Sequence, residues 1–455
     1  MNRLSRIVLL EVHRVLLERY LFEKPGLEGA AFLLCGEAVG SDVAKLICHA
    51  VVPVAAEDYL RRDYDGLTIQ SQALARITKL ARHEGLSVVF AHSHPDGFTS
   101  FSEQDDREEG RLLPFLRARI PGRAHGTIVM TRSGFAGRVY APERAAANVL
   151  IIGNRFHLYG EHEGRQIPEI FDRQVRAFGD DVQRILGSLH VGVVGLGGTG
   201  SPLAEQLVRL GVGRLTLFDR DTFESTNVNR VYGATLGDVD RQKVEIAKQH
   251  LDRIGLSTEI EAVPEHITIE APARRLRACD VVFGCTDKQI PRAILMQLAT
   301  KYCLPVFDLG VLIDSHDQHI QSIHGRITTL LPGEACLYCR GRISPEAMRI
   351  EALPGDEREA QVREGYVPEL KGPAPAVIAF TSAVASFAVS ELLHRLTGFM
   401  GSERVSSEML IAFDQSRIRT NRVAPREACQ CADDTLWGRG DESPFLGMTW
   451  PTQPM

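Results

Sequence analysis

Several things are missing from this chain, and each absence removes a class of function. There is no dense run of basic residues, and the formal net charge is −6, so a nucleic-acid-binding surface is not expected. No apolar stretch is long enough to span a membrane. The longest, 376–389, has 14 residues with serine and threonine inside it, and reads as a buried helix. The short run Ile7–Leu10 is interrupted by Glu11 and His13, so no signal peptide is read. No cysteine lies between 340 and 428. The nine that exist are scattered, which suits reduced thiols, a metal site and a cytoplasmic location rather than a disulfide framework.

What remains is an ordinary globular composition, 44% hydrophobic and 24% charged, over 455 residues that predict two or three domains. Residues 1–160 read as one α/β domain, with a polar, glycine-containing linker at 157–168. Residues 161–432 read as a second α/β domain. The tail 433–455, rich in Gly and Pro and carrying Trp437, Phe445 and Trp450, reads as a loose end, with docking or partner capture as alternatives.

The second domain is organised around 190–243. A short apolar run, Val191–Val194, meets the turn Gly195-Leu-Gly197-Gly198-Thr-Gly200. Ser201 then opens an amphipathic stretch (Leu203, Leu207, Leu210) that stops at Gly211, and a second apolar run, Leu215–Phe218, ends on Asp219. Strand, glycine turn, helix and strand with an acid about 20 residues past the turn describe a mononucleotide-binding unit. Glycines let backbone N–H groups approach a phosphate, and the helix N-terminus favours its charge. An NAD-dependent oxidoreductase or an empty turn would share this much. The polar and basic set Asn227, Arg230 and Lys243 has no use in an NAD site. With GLGGTGS and DRDTFESTNVNR, it resembles the ATP site of the ThiF/MoeB and ubiquitin-activating superfamily, although Val231 stands where that family has glutamine.

In the first domain a strand over Ser87–Ala91 runs into His92-Ser93-His94-Pro95, and Ser102-x-x-Asp105 opens a charged helix, Glu103–Leu116. Ser102 is a natural N-cap, so Asp105 on the first turn can point back at the two imidazoles. Two nitrogens and one carboxylate leave a fourth position open, the arrangement of a catalytic zinc. The whole run resembles the JAMM motif of the JAB/MPN metallopeptidases. By that resemblance Glu28, in LEGAAFLLCG, is the general base, Ala31 standing where glycine is common. Glu37 is its rival, and Ser102 polarises the scissile carbonyl.

The ThiF resemblance implies further roles. The fold is Rossmann-like, beside a JAB/MPN (cytidine-deaminase-like) α/β domain. Gly195, Gly197, Gly198 and Gly200 cradle ATP phosphates, and Asp219 takes the ribose, with Asp221 beside it. Asn227, Arg230 and Lys243 contact the triphosphate, and Asp287, in GCTD at the end of another strand, holds Mg²⁺. Arg173, from the lead-in FDRQ, reaches the phosphates of a second copy, which implies a homodimer; Ile170 replaces the family's first arginine. Cys336-x-x-Cys339 and Cys429-x-Cys431 suit a four-thiolate structural zinc, the second pair being one residue tighter than usual. Cys35, Cys48, Cys279, Cys285 and Cys303 read as buried small hydrophobes.

Together the two halves imply one shared substrate, a ubiquitin-like protein whose tail is trimmed or deconjugated by the first domain and adenylated at its terminal glycine by the second. This looks like a bacterial ubiquitin-like conjugation system, a type often tied to phage defence. With no cysteine in the crossover, the acyl group would stop at the adenylate or pass to a separate conjugating enzyme. Ser344, the only Ser or Thr in 340–375, is the candidate acceptor. Thiocarboxylate-based sulfur transfer and a non-catalytic scaffold are the alternatives.

Overall fold

The computed structural model describes residues 4–451 apart from 96, 161–163, 165, 318, 365–374 and 402–403. It divides into two units. The first is Met1–Gln166 with Lys301–Cys303 and Thr435–Ser443; the second is Ile167–Thr300 with Leu304–Asp434 and Pro444–Met455.

The first unit is built on β1 (Leu4–Leu10), β2 (Ala30–Val39), β3 (Val43–Pro53), β6 (Ser87–Ser93), β7 (His125–Met130), β8 (Phe135–Tyr140), β9 (Arg144–Ile152) and β10 (Phe156–Tyr159), with β4 (Tyr59–Arg62) and β5 (Leu67–Ile69) as a separate ribbon. The sheet order is β1-β3-β2-β6-β7-β8-β9-β10, and β1 also pairs in parallel with β9. Side chains of a strand alternate between faces, and here both faces are apolar. Leu33 on β2 packs with Leu17 and Leu21 of α1 (Glu11–Leu21). Its neighbours Phe32 and Leu34 pack with Ile77 and Ala81 of α2 (Ser71–Glu84) and with Leu113 and Leu116 of α3 (Glu103–Arg119). The sheet is therefore a middle layer between helices.

Two readings of the sequence are corrected here. The linker starts later than 157, because Phe156 and Leu158 are buried and β10 pairs antiparallel with β9. The rest, 160–168, includes 161–163 and 165, which lie outside the described residues. Nor is the tail a loose end. Gly36 N donates to Gly438 O at 3.1 Å and Asp441 N to Glu37 O at 2.7 Å, while His49 Nδ1 lies 2.8 Å from Trp437 O. Glycine is required there: Gly438 and Gly440 have φ of +66°, and a Cβ on Gly438 would sit 2.5 Å from the Cys48 carbonyl oxygen. In the second unit Phe445 is 1% exposed and stacks on Trp450. Residues 452–455 lie outside the described residues.

The second unit holds β11 (His190–Val194), β12 (Arg214–Phe218), β13 (Glu259–Val263), β14 (Val281–Gly284), β15 (Val306–His316), β16 (His319–Leu330), β17 (Glu408–Ala412) and β18 (Arg417–Asn421). Their order is β13-β12-β11-β14-β15-β16-β17-β18. The first five are parallel and the rest antiparallel. Chain order reverses at β11, and ligands of open α/β sheets bind at such a reversal, beyond the strands' carboxyl ends. The helices are α4 (Asp172–Phe178), α5 (Asp180–Leu186), α6 (Gly200–Arg209), α7 (Lys243–Asp252), α8 (Glu270–Arg275), α9 (Gln289–Lys301), α10 (Pro345–Ala352), α11 (Gly355–Arg363) and α12 (Ile378–Thr397). α6 is pinned by Leu203, Ala204 and Leu207, all 0% exposed. Each such leucine contributes about 2 kcal/mol. The apolar stretch at 376–389 lies in α12, with Val384, Ala385, Ala388 and Val389 buried. The strand read at 408–414 stops at Ala412, and a turn at Phe413–Gln415 leads into β18. Among the described residues no helix is long and apolar enough to cross a membrane.

Candidate functional site

In the first unit, β6 runs two residues beyond the expected Ala91 and carries His92 and Ser93, with His94 directly after it. Ser93 N donates to Gly29 O, and Gly29 N donates to Ser93 Oγ at 2.8 Å. This locks the segment before β2, and with it Glu28, beside the histidines. Ser102 caps α3: its Oγ accepts from Asp105 N at 3.2 Å, and Asp105 Oδ2 accepts from Ser102 N at 2.6 Å. The cap turns Asp105 inward, so that Oδ1 lies 2.9 Å from His92 Nε2 and Oδ2 3.4 Å from His94 Nε2. The two Nε2 atoms are 3.2 Å apart. Zinc with bonds of about 2.0–2.1 Å in tetrahedral geometry sets two ligand nitrogens about 3.3 Å apart. His92, His94 and Asp105 therefore have the chemistry and spacing to hold a metal ion.

Burial raises the Asp105 carboxyl, but hydrogen bonds from His92 and His94 outweigh it and hold the group below its usual range. The Asp105 hydrogen bond likewise raises His94. Glu28 is 7% exposed, and burial lifts it to about 7, a value suited to a base working near neutrality. Its rival Glu37 is committed elsewhere: it accepts from Ser87 Oγ and Ala124 N and pairs with Arg123. The Ser102 hydroxyl donates to Asp105 Oδ2 at 2.8 Å.

In the second unit the glycine turn follows β11. Gly195 has φ +93°, and a Cβ on Gly200 would sit 1.8 Å from the Gly195 carbonyl oxygen. At Gly197 a Cβ would meet nothing within 4 Å, which leaves backbone open to a cleft of about 1170 Å³. The cleft is lined by Gly195, Gly197, Gly198, Asp219, Asp221, Arg230, Lys243 and Asp287. Burial raises Asp219, whose oxygens accept from Leu196 N at 2.6 Å and Asp221 N at 2.9 Å. Lys243 Nζ pairs with Asp221 Oδ2 at 2.9 Å. Arg230 Nη1 donates to Thr226 O at 2.6 Å, and its side chain crosses Gly198.

The remaining expected residues lie elsewhere. Gly200 is buried at the start of α6. Asn227 is buried and its Oδ1 accepts from Glu224 N at 3.3 Å, capping a turn. Arg173 is exposed on α4 and does not line this cleft. Ser344 is the N-cap of α10 and accepts from Ala347 N at 3.1 Å, a sufficient structural reason for a serine there. The crossover around it includes 365–374, outside the described residues.

Reading the sequence missed most of the cleft's cations. Arg292 and Arg326 both engage the buried Asp308, and Arg342, Arg417, Arg419 and His324 join them on the lining. The alternation His324-x-Arg326 and Arg417-x-Arg419 was the available signal.

Cys336, Cys339, Cys429 and Cys431 converge. The Sγ atoms of 336 and 339 are 3.8 Å apart, those of 336 and 429 3.5 Å, and those of 339 and 431 3.6 Å. Zinc–sulfur bonds of about 2.3 Å give a tetrahedral edge of about 3.8 Å, so the four thiols fit a closed site. Hydrogen bonding from Cys431 lowers the Cys336 thiol. Cys35, Cys48, Cys279 and Cys303 are buried as expected, and Cys285 is half-buried.

The ThiF family model matches residues 171–432, more than half of the 455-residue chain, and the chain belongs to the ThiF family. A model of prokaryotic homologs of the JAB domain matches residues 12–139. Among curated relatives, protein HesA of Leptolyngbya boryana is 29% identical over 170 residues, 37% of this chain and 58% of HesA. The sulfur carrier protein ThiS adenylyltransferase of Escherichia coli is 35% identical over 113 residues, 25% of this chain and 45% of the relative. Ubiquitin-like modifier-activating enzyme 5 of rice (Oryza sativa subsp. japonica) is 32% identical over 174 residues, 35% of this chain and 39% of that enzyme. The chain thus spans 39–58% of the length of these relatives. Among solved structures, E. coli MccB with ATP aligns with a TM-score of 0.46 at 16% identity, over 60% of this chain and 76% of that one.

Proposed function

We propose that the chain is a two-site enzyme of a ubiquitin-like pathway. Its first domain, 1–160, is a zinc-dependent JAMM peptidase or isopeptidase, and its second, 161–432, adenylates the carrier's terminal glycine. The observation that carries the reading is the presence, in one chain, of a three-donor cluster beside a buried carboxylate and a glycine-turn cleft lined by Asp219, Arg230, Lys243 and Asp287.

At the first site His92, His94 and Asp105 would hold the zinc. Bound there, the metal supplies a water acidified toward neutrality and an electrophile for the scissile carbonyl. Glu28 takes a proton from the attacking water and hands it to the leaving amine, and Ser102, whose hydroxyl donates to Asp105 Oδ2 in the resting site, turns it to the carbonyl oxygen when substrate binds.

At the second site Asp219 orients the ribose, and the open N–H groups of the glycine turn receive phosphate oxygens. Arg230 and Lys243, with Arg173 of a second copy in a homodimer, offset charge on the triphosphate, while Asn227 caps the turn that leads into Arg230. Asp287, on the cleft lining, would hold Mg²⁺, which when bound would add to that charge stabilisation. The carrier's carboxylate attacks the α-phosphorus, the bond to the bridging oxygen breaks, and pyrophosphate leaves. Such catalysis rests on positioning and electrostatics. The four cysteines would hold a structural zinc.

The test is ATP–pyrophosphate exchange by the full chain with ubiquitin-like proteins ending in Gly-Gly. Exchange that needs the carrier and disappears in Lys243→Ala and Asp287→Ala is expected; exchange that survives both substitutions would refute the assignment. A second reading, thiocarboxylate formation on a sulfur carrier, is favoured by the absence of cysteine in 340–428 and by the similarity to the E. coli ThiS adenylyltransferase. Sulfide-dependent conversion of the adenylate would select it. Without sulfide, transfer to a separate conjugating enzyme is the expected fate.

A further inference from the structure

We propose that the outer, antiparallel part of the second sheet seats the carrier's tail, and that the segment it receives is acidic. This rests on the adenylation reading above and adds the charge class of its substrate. The argument is one of register. Leu312 on β15 pairs with His324 on β16, His324 with Ala412 on β17, and Ala412 with Arg417 on β18. Two residues along, Gly310, Arg326, Leu410 and Arg419 form a second row. Residues two apart on a strand share a face, and all eight line the nucleotide cleft. The face is therefore low at Gly310 and Ala412, apolar at Leu312 and Leu410, and cationic at its β18 end.

Those end charges are not spoken for. Arg326 is 2.6 Å from the buried Asp308, which consumes its charge. Arg417 and Arg419 are exposed, and among the described residues neither has an ion-pair partner. His324 is exposed, with Asp414 the neighbouring carboxylate. The acids lining the cleft, Asp219, Asp221, Glu265 and Asp287, all come from segments that follow the parallel strands. Nor are Arg417 and Arg419 placed for the triphosphate. β18 is the fifth strand from β11, and at about 4.8 Å per strand that is roughly 20 Å or more from the glycine turn. A ligand reaching both ends must be an extended chain, with its carboxylate at the nucleotide and negative charge where it crosses β17 and β18.

The experiment uses the full chain and short fluorescent peptides ending in Gly-Gly, whose preceding residues are glutamate, serine or lysine. Fluorescence anisotropy at low and high salt reads binding. The glutamate peptide is expected to bind about tenfold more tightly than the lysine peptide, with the advantage shrinking as salt rises. In the double variant Arg417→Glu, Arg419→Glu the order should reverse, with an unchanged melting temperature excluding misfolding. Equal binding of the three peptides, or an unchanged order in the double variant, would overturn the proposal. So would a change in sedimentation with no change in peptide preference, which would make the face a self-association surface. Binding of a fluorescent ATP analogue to the same samples separates the two ideas: its absence from the wild type counts against adenylation alone.

Discussion

The two clusters of side chains in this chain that could hold a metal differ in the way that separates open sites from closed ones. His92, His94 and Asp105 supply three donors, and a buried carboxylate with a raised pKa stands beside them. Cys336, Cys339, Cys429 and Cys431 offer four soft donors, enough to close the coordination sphere of a metal. A closed four-thiolate site stabilises the fold that surrounds it, whereas a three-donor site leaves a position for chemistry. The local structure follows the same division. The histidines sit at the end of a strand, and their aspartate on a capped first helical turn. The cysteines come from turns around 336–340 and 429–432, which a metal is well suited to fix.

The comparison can be broken from either side. The largest effect is expected from Cys336→Ser with Cys431→Ser. A structural zinc is worth on the order of 10 kcal/mol of folding, so the second unit should lose its cooperative melting transition by calorimetry. Next, His92→Ala or Asp105→Ala should abolish peptidase activity and lower zinc by about one ion per chain, the melting transition staying in place. If instead either variant melts like the cysteine pair, the two sites are not different in kind.

Glu28→Gln should keep its zinc and lose about 10²- to 10⁴-fold in hydrolysis rate. Glu37→Gln should hydrolyse normally and lose about 1 kcal/mol of stability by denaturant titration, because the ion pair with Arg123 is lost while the amide oxygen still accepts from Ser87 Oγ and Ala124 N. The smallest effect is expected at Ser344→Ala: about 1 kcal/mol for a lost cap, with mass spectrometry showing no change in any covalent adduct.

The convergence of both donor clusters was legible in the sequence for a local reason. A His-x-His at a strand end, a Ser-x-x-Asp at a helix start and close-spaced cysteine pairs keep their geometry within a few residues. Glu28 needed the family resemblance, since its position depends on Ser93 bonding Gly29 across 64 residues. The glycine turn, Asp219 and Asp287 were legible because each directly follows an apolar run, and because GLGGTGS and GCTD carry the family resemblance. The cation wall was not, because Arg326 and Arg419 become neighbours only through the registers of β16, β17 and β18. The docked tail was hidden for a similar reason. Its glycines read as looseness, while Gly438 and Gly440 are there to turn tightly against β2 and β3. β10 was taken for linker because its apolar residues, Phe156 and Leu158, are too few to reveal a period on their own.

The most direct measurement concerns the two centres acting on one tail. A ubiquitin-like carrier made with residues beyond its Gly-Gly, and the same carrier already trimmed, are each incubated with ATP and either wild type or His92→Ala, then weighed intact. Wild type should shorten the extended carrier and yield its AMP-linked form, and His92→Ala should adenylate only the trimmed one. An AMP-linked product from the extended carrier in His92→Ala, or none from either carrier with folded wild type, would contradict a shared substrate.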